Sequence, residues 1–189
     1  MRLYWVLVFW LAGAGLMQGA EPAPARNWAV YFSPRGGCTE AVVSALGQAK
    51  STVLVQDYSF TSAPIAKALV DAAKRGVKVQ AILDKSQKGE KYSSATYLAN
   101  SGLRPMIDSA HAIAHNKVMV IDGHLVVTGS FNFTKSAEEK NAENLLILHD
   151  SVLAARYTEN WQNHLAHSKP YGAKSPVKRK LVSPRGATK

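Results

Sequence analysis

Asp122-Gly123 sits between two apolar runs rich in β-branched residues, Val118 to Ile121 and Leu125 to Val127, and no other feature constrains the fold so tightly. Asp-Gly supplies the two positive-φ positions of a tight hairpin turn, so the runs are expected to pair as antiparallel strands. If those two residues are the whole turn, Ile121 faces His124, and His115 and Lys117 fall opposite Ser130 and Thr128. Side chains alternate along a strand, which puts His115, Lys117, Thr128, Ser130 and Asn132 on one face. Val118, Val120, Leu125 and Val127 take the other face as core, unless a bulge shifts the register. One end of the hairpin then carries an imidazole, an ammonium, a hydroxyl and an amide within reach of one another.

The flanking chain alternates short apolar runs with amphipathic segments, the pattern of an α/β domain. Strands are expected at Trp28 to Phe32, Thr52 to Tyr58, Val77 to Leu83 and Arg104 to Ile107. Helices are expected at about Thr39 to Ala49, Ala63 to Arg75, Ser94 to Asn100 and Ser151 to His167. Lys74-Arg75-Gly76 reads as a helix stop, with cations on the last carbonyls and glycine beyond. Residues Lys85 to Lys91 read as a solvated loop.

The termini differ from this body. Residues 1–20 hold a single charge, Arg2, ahead of an apolar stretch ending in Gly19 and Ala20, the layout of a secretory signal peptide. Cleavage after Ala20 is preferred, Ala23-Pro24-Ala25 offers another boundary, and an uncleaved membrane anchor ranks second. Residues 21–27 form a linker, 28–167 the single domain, and 168–189 a basic tail whose prolines and glycines argue for disorder. The chain carries 23 Lys plus Arg against 13 Asp plus Glu, a formal charge of +10, which excludes an acidic solvating chain. Seven cations lie in the tail, where they serve either solubility or a phosphate-binding surface. Cys38 is the only cysteine, so no disulfide closes within one chain, and it reads as a buried apolar residue.

The polar cluster suits phosphodiester hydrolysis. The charge of a phosphodiester repels nucleophiles and its leaving oxygen needs a proton, and imidazole can serve as nucleophile or as acid. Lys117 and Asn132 can hold the nonbridging oxygens. Glu143, just before the apolar run Leu145 to Leu148, can fix the tautomer of His115 as the third member of a triad does, or can simply begin a strand at the surface. Asp122 is read as a turn residue with a structural role.

His115-x-Lys117-x4-Asp122-x6-Gly129-Ser130-x-Asn132 resembles the defining motif of the phospholipase D superfamily. Tyr58-Ser59-Phe60-Thr61, the run HNKVMVIDGHLVVTGSFNFTKSAEEKNAENLLIL and the closing helix with Trp161 resemble its small, single-motif bacterial endonucleases, over roughly Val30 to His164. The resemblance implies an α/β fold, a mixed β-sheet flanked by helices with one domain per chain. It also implies a phosphodiesterase that needs no metal or other cofactor, active as a homodimer whose two motifs meet at one site. By match, His115 is nucleophile or acid, Lys117 and Asn132 clamp the phosphate, Ser130 donates a hydrogen bond on the phosphate side, and Glu143 partners the histidine. The count agrees: one motif provides one histidine, and a twofold dimer supplies the second.

His111, His124, His149, His164 and His167 read as ordinary surface or core histidines. His111 with His115, or His164 with His167, suggests zinc, but neither pair has a cysteine or carboxylate at ligand spacing, so no metal site is expected. Ser130 lacks the glycine-flanked elbow of a serine nucleophile. The favoured function is a periplasmic or secreted endonuclease acting nonspecifically on DNA or RNA, with no stable membrane association after signal cleavage. A phospholipase acting on phospholipid headgroups and a non-catalytic basic nucleic-acid-binding module are the alternatives.

Overall fold

The computed structural model describes residues 27–90 and 92–172. The signal peptide, most of the linker and most of the basic tail lie outside that range. In chain order the elements are β1 (Trp28–Ser33), α1 (Cys38–Gln48), β2 (Thr52–Asp57), α2 (Ala63–Lys74), β3 (Lys78–Asp84), a 3-10 turn (Lys85–Lys88) and α3 (Ser94–Asn100). There follow β4 (Met106–Asp108), β5 (Lys117–Ile121), β6 (Leu125–Gly129), α4 (Lys135–Glu139), β7 (Glu143–His149), α5 (Ser151–His167) and β8 (Lys169–Pro170). No helix among the described residues is long and apolar enough to cross a membrane.

Capping sets several of these boundaries. Asp150 accepts hydrogen bonds from the backbone N–H groups of Val152 and Leu153, both at 2.9 Å, and so starts α5. Thr134 caps α4 through the Ala137 N–H at 3.0 Å, and Gly76, with φ 94°, ends the turn after α2. α4 escaped sequence reading because one helical turn is too short to show a period.

The eight strands form one mixed sheet in the order β1-β7-β6-β5-β2-β3-β4-β8. β2, β3 and β4 run parallel, and the other pairings are antiparallel. α1, α2 and α3 contribute to the larger core on one face, with Leu46, Ile65, Leu69 and Leu98 fully buried. α5 covers the central strands on the other face, where Ala154 meets Val118, Val120 and Val126. The buried Trp161 Nε1 donates to the Val55 carbonyl at 2.9 Å and fixes that helix over β2.

The hairpin forms, but its register is one residue from the expected one. Asp122 (φ 52°) and Gly123 (φ 68°) make the tight turn, with His124 N–H on the Ile121 carbonyl at 3.2 Å. His124 is then an extra residue, so Ile121 pairs with Leu125 and Val118 with Thr128. Thr128 consequently shares the α5 face with Val118, not the face of Lys117. Leu125 and Val127 join Met119 and Ile121 in the larger core. All five residues of β5 are buried, because helices cover both faces of the central strands.

Asp122 has a structural reason to be acidic. Its carboxylate accepts from the backbone N–H groups of Lys50, Ser51 and Thr52 and from the Ser51 hydroxyl, all within 2.9 Å. Partial burial pushes its pKa up, but these hydrogen bonds outweigh that and bring it down to about 2. Because the folded-state pKa lies below the unfolded value of about 4, the stabilisation is complete above pH 4 and fades as pH falls toward 2. Asp122→Ala is expected to cost about 2 kcal/mol in urea unfolding at pH 7, since it also places alanine at positive φ. The difference between the wild type and Asp122→Asn should narrow between pH 5 and pH 2; a gap that stays constant would show that the charge contributes nothing.

At the C-terminus the ordered body runs past His167, where the tail was expected to begin. β8 pairs with β4, Tyr171 N–H donates to the Pro105 carbonyl at 2.9 Å, and the Tyr171 hydroxyl lies 2.7 Å from the Thr96 hydroxyl.

Candidate active site

Five strand ends meet at one edge of the sheet. β2 closes at Asp57 opposite Lys117 at the start of β5, β6 closes at Gly129, and β7 opens at Glu143 opposite Ser33 of β1. Asp122 lies at the other end of β5, away from this edge.

Lys117 is 6% exposed. Its ammonium donates to the His115 carbonyl at 2.8 Å and lies 5.2 Å from the centre of the Tyr58 ring, so a carbonyl dipole and an aromatic face compensate its burial. Burial lowers its pKa, against the pull of Asp57 and Glu143. Asp57 beside it is fully buried, and desolvation pushes its carboxyl well above the ordinary range, although the Phe133 N–H and Lys117 oppose this. Phe133 N–H reaches Asp57 Oδ2 at 3.1 Å, while Oδ1 has no partner among the described residues. Asp57 was not legible as a site residue, since its only sequence mark was a polar end to an apolar strand.

His115 precedes β5 and is exposed. Its ring packs against Tyr58 with centroids 4.8 Å apart and planes tilted by 57°. The Tyr58 N–H donates to the Asn116 carbonyl at 2.9 Å, which ties the two segments together.

Ser130 and Asn132 leave β6 through Gly129, whose φ is 150°. A Cβ there would meet the Asn144 carbonyl oxygen at 2.2 Å, so only glycine fits. That same oxygen accepts from the N–H groups of Ser130 and Phe131. Phe131 and Phe133 are fully buried, and between these anchors Asn132 is held with its Oδ1 buried and lacking a partner among the described residues. The Ser130 hydroxyl donates to Glu143 Oε2 at 2.6 Å and accepts from the Asn144 N–H at 3.1 Å. Asn141 Nδ2 holds the other carboxylate oxygen of Glu143 at 3.1 Å. Within one chain Glu143 is therefore brought to Ser130 rather than to His115, because the turn at Gly129 lays Ser130 over the start of β7.

A second polar cluster was missed altogether. His111, His164 and His167 converge on Asp108, joining residues that sequence spacing had sorted into unrelated pairs. Cys38 is buried as expected, and burial, with Glu138 and Glu40 nearby, raises its thiol to about 11.

A mixed sheet between helices, with imidazole, ammonium, hydroxyl and amide gathered at one edge, is the architecture of the phospholipase D superfamily, and the chain belongs to that superfamily of hydrolases. The family model described as "Cardiolipin synthase, PLD-like domain" matches residues 42–165. A protein named Phospholipase D from Rickettsia typhi is 41% identical over 136 residues, covering 72% of this chain and 67% of the relative. Among solved structures, the phospholipase D family member Nuc from Salmonella typhimurium superposes with a TM-score of 0.74 at 40% identity, covering 76% of this chain and 97% of Nuc. NucT from Helicobacter pylori gives 0.71 at 27% identity, over 76% of this chain and 98% of NucT.

Proposed function

We propose that this hydrolase cleaves nucleic-acid backbones nonspecifically, through a phosphohistidine formed on His115, at a site completed by a second copy of the chain. The observation that carries the reading is the pairing of an exposed imidazole with a buried ammonium two residues away: His115 is open to substrate, while Lys117 is held rigid behind it. A scissile phosphorus approaching His115 places its nonbridging oxygens toward Lys117 and the Asn132 amide. An imidazole nitrogen forms the bond to phosphorus, the bond to the leaving oxygen breaks, and that oxygen takes a proton from the partner's His115. Water then attacks the phosphohistidine, returning its proton to the partner's His115 and freeing the first imidazole. Ser130, fixed by Glu143, presents its hydroxyl group beside the phosphate, and Glu143 orients the site's polar edge.

Two observations support this substrate and assembly. The formal charge of +10 favours a polyanion. On β1, Val30 and Phe32 are 38% and 64% exposed, on the same sheet face as α5 but beyond the central strands that α5 covers, and this apolar stripe runs toward the Ser33–Glu143 pair. A twofold interface on that stripe would bring two catalytic edges together. Export to the periplasm or medium by the N-terminal signal belongs to the same reading.

The relatives named Phospholipase D favour a second substrate, a phospholipid headgroup diester. Incubating the protein with plasmid, RNA and fluorescent phospholipid vesicles separates the two. Backbone cleavage without headgroup release is expected, and headgroup release alone would move the site to lipids. The chemistry is proposed to need no metal ion, so cleavage should retain most of its rate in excess EDTA, at a temperature where the stripped protein stays folded. Loss of turnover under those conditions, with restoration by magnesium, would assign the electrophile to a metal.

A further inference from the structure

Asp108 closes β4 with its side chain fully buried, and three histidines from two distant segments reach the same carboxylate oxygen. His164 Nδ1 lies 2.7 Å, His111 Nδ1 3.0 Å and His167 Nε2 3.2 Å from Asp108 Oδ2. His164 and His167 stand three residues apart on the last turn of α5 and so share a face. The three rings pack against one another, with centroids between 4.8 and 5.5 Å apart. The second carboxylate oxygen, Oδ1, accepts from the Ala110 N–H at 2.9 Å, which orients the group.

This is more donors than one oxygen comfortably accepts, since a carboxylate oxygen offers two lone pairs and three imidazoles address it. It is also close to the geometry of a coordination shell. A tetrahedral ion with bonds of about 2.0 Å holds its ligand atoms about 3.3 Å apart, near the oxygen-to-nitrogen distances here. All four prospective ligand atoms already lie within 4.8 Å of one another. The side chains of His111 and His167 are 46% and 37% exposed, so an ion can enter from solvent and these rings can close on it, whereas Asp108 and His164, 14% exposed, are fixed.

We propose that Asp108, His111, His164 and His167 bind one divalent transition-metal ion of the zinc class, as a structural site separate from the phosphodiesterase centre. Imidazole with one carboxylate is the ligand chemistry of zinc rather than of calcium or magnesium, which take oxygen ligands. Four protein ligands fill a tetrahedral shell and leave no position for a reactive water, so the ion serves structure. Its bonds would join the end of β4 to the end of α5, next to β8. They would also hold His111, four residues ahead of His115, in a segment that the Ala114 N–H anchors further along, on Asp84 Oδ2 at 2.8 Å. Lys85 Nζ donates to the His111 carbonyl at 2.9 Å, so that cation is engaged on the backbone and turned from the imidazole nitrogens.

The test uses the full chain without a histidine tag, stripped with EDTA and then titrated with Zn²⁺ or Co²⁺ and desalted. About one equivalent of zinc should be retained per chain, the cobalt adduct should show the intense visible bands of tetrahedral coordination, and saturating zinc should raise the thermal midpoint by about 5 °C. His167→Gln, at an exposed ligand, should weaken zinc binding at least about tenfold, and His164→Gln/His167→Gln should abolish it. Less than about a tenth of an equivalent in the wild type, a weak octahedral cobalt spectrum, or undiminished binding in His167→Gln would each overturn the proposal. None of these readouts depends on phosphodiester cleavage, so the metal site and the proposed function stand or fall separately.

Discussion

His115→Ala is expected to lower turnover at least about a thousandfold while leaving the thermal midpoint within a degree or two of wild type. The two halves of this expectation come from the same geometry. The imidazole is exposed and packs against the tilted ring of Tyr58, so truncating it is expected to open no buried cavity. On the proposed mechanism its loss nevertheless deletes the atom that bonds to phosphorus and, in the proposed dimer, the general acid as well. Lys117→Ala would be a poorer test, because removing a buried ammonium leaves Asp57 without its compensating charge and changes stability and activity together. A His115→Ala protein that keeps a tenth of the wild-type rate would remove His115 from the role of nucleophile.

The second large effect concerns assembly. If one His115 attacks while the partner's His115 protonates the leaving oxygen, a dimer of one wild-type and one His115→Ala chain lacks one of the two roles. That mixed dimer should be nearly inactive, and random mixing of equal amounts should leave about a quarter of the dimers active by binomial pairing. Independent sites would instead leave half the activity. The experiment is to co-refold differently tagged chains, isolate the mixed dimer and compare its turnover with wild type. Half of the wild-type rate, or an active monomer in the ultracentrifuge, would show that each chain holds a complete site. In that case the exposed Val30 and Phe32 of β1 would serve a different contact.

What the sequence determined by itself was whatever short-range chemistry encodes. The bounds of α5, Ser151 to His167, followed from helical spacing, and those of α1, α2 and β2 fell within a residue or so of the expected ends. The motif from His115 to Asn132 carried the resemblance to the family in its residue types and spacing, and the Asp122-Gly123 turn formed as its residues demand. Tertiary structure decided what depends on contacts between distant segments. His124 became a bulge residue, which moved Thr128 to the α5 face, and helices packed on both sides of the sheet buried every residue of β5, outcomes that the local pattern of that strand does not show. Glu143 was expected at His115 and lies instead on Ser130, since its direction is set by the backbone turn at Gly129 and not by its distance along the chain. Asp57 lies against Lys117 only because β2 pairs with β5, sixty positions away. The cluster around Asp108 is the furthest case: Asp108 and His111 were separated from His164 and His167 by more than fifty residues, and a search for ligands at short spacing had no means of joining them. The sheet order, which brings β4 beside the end of α5, does so because it buries apolar faces, and the polar residues at the strand ends are carried together with it.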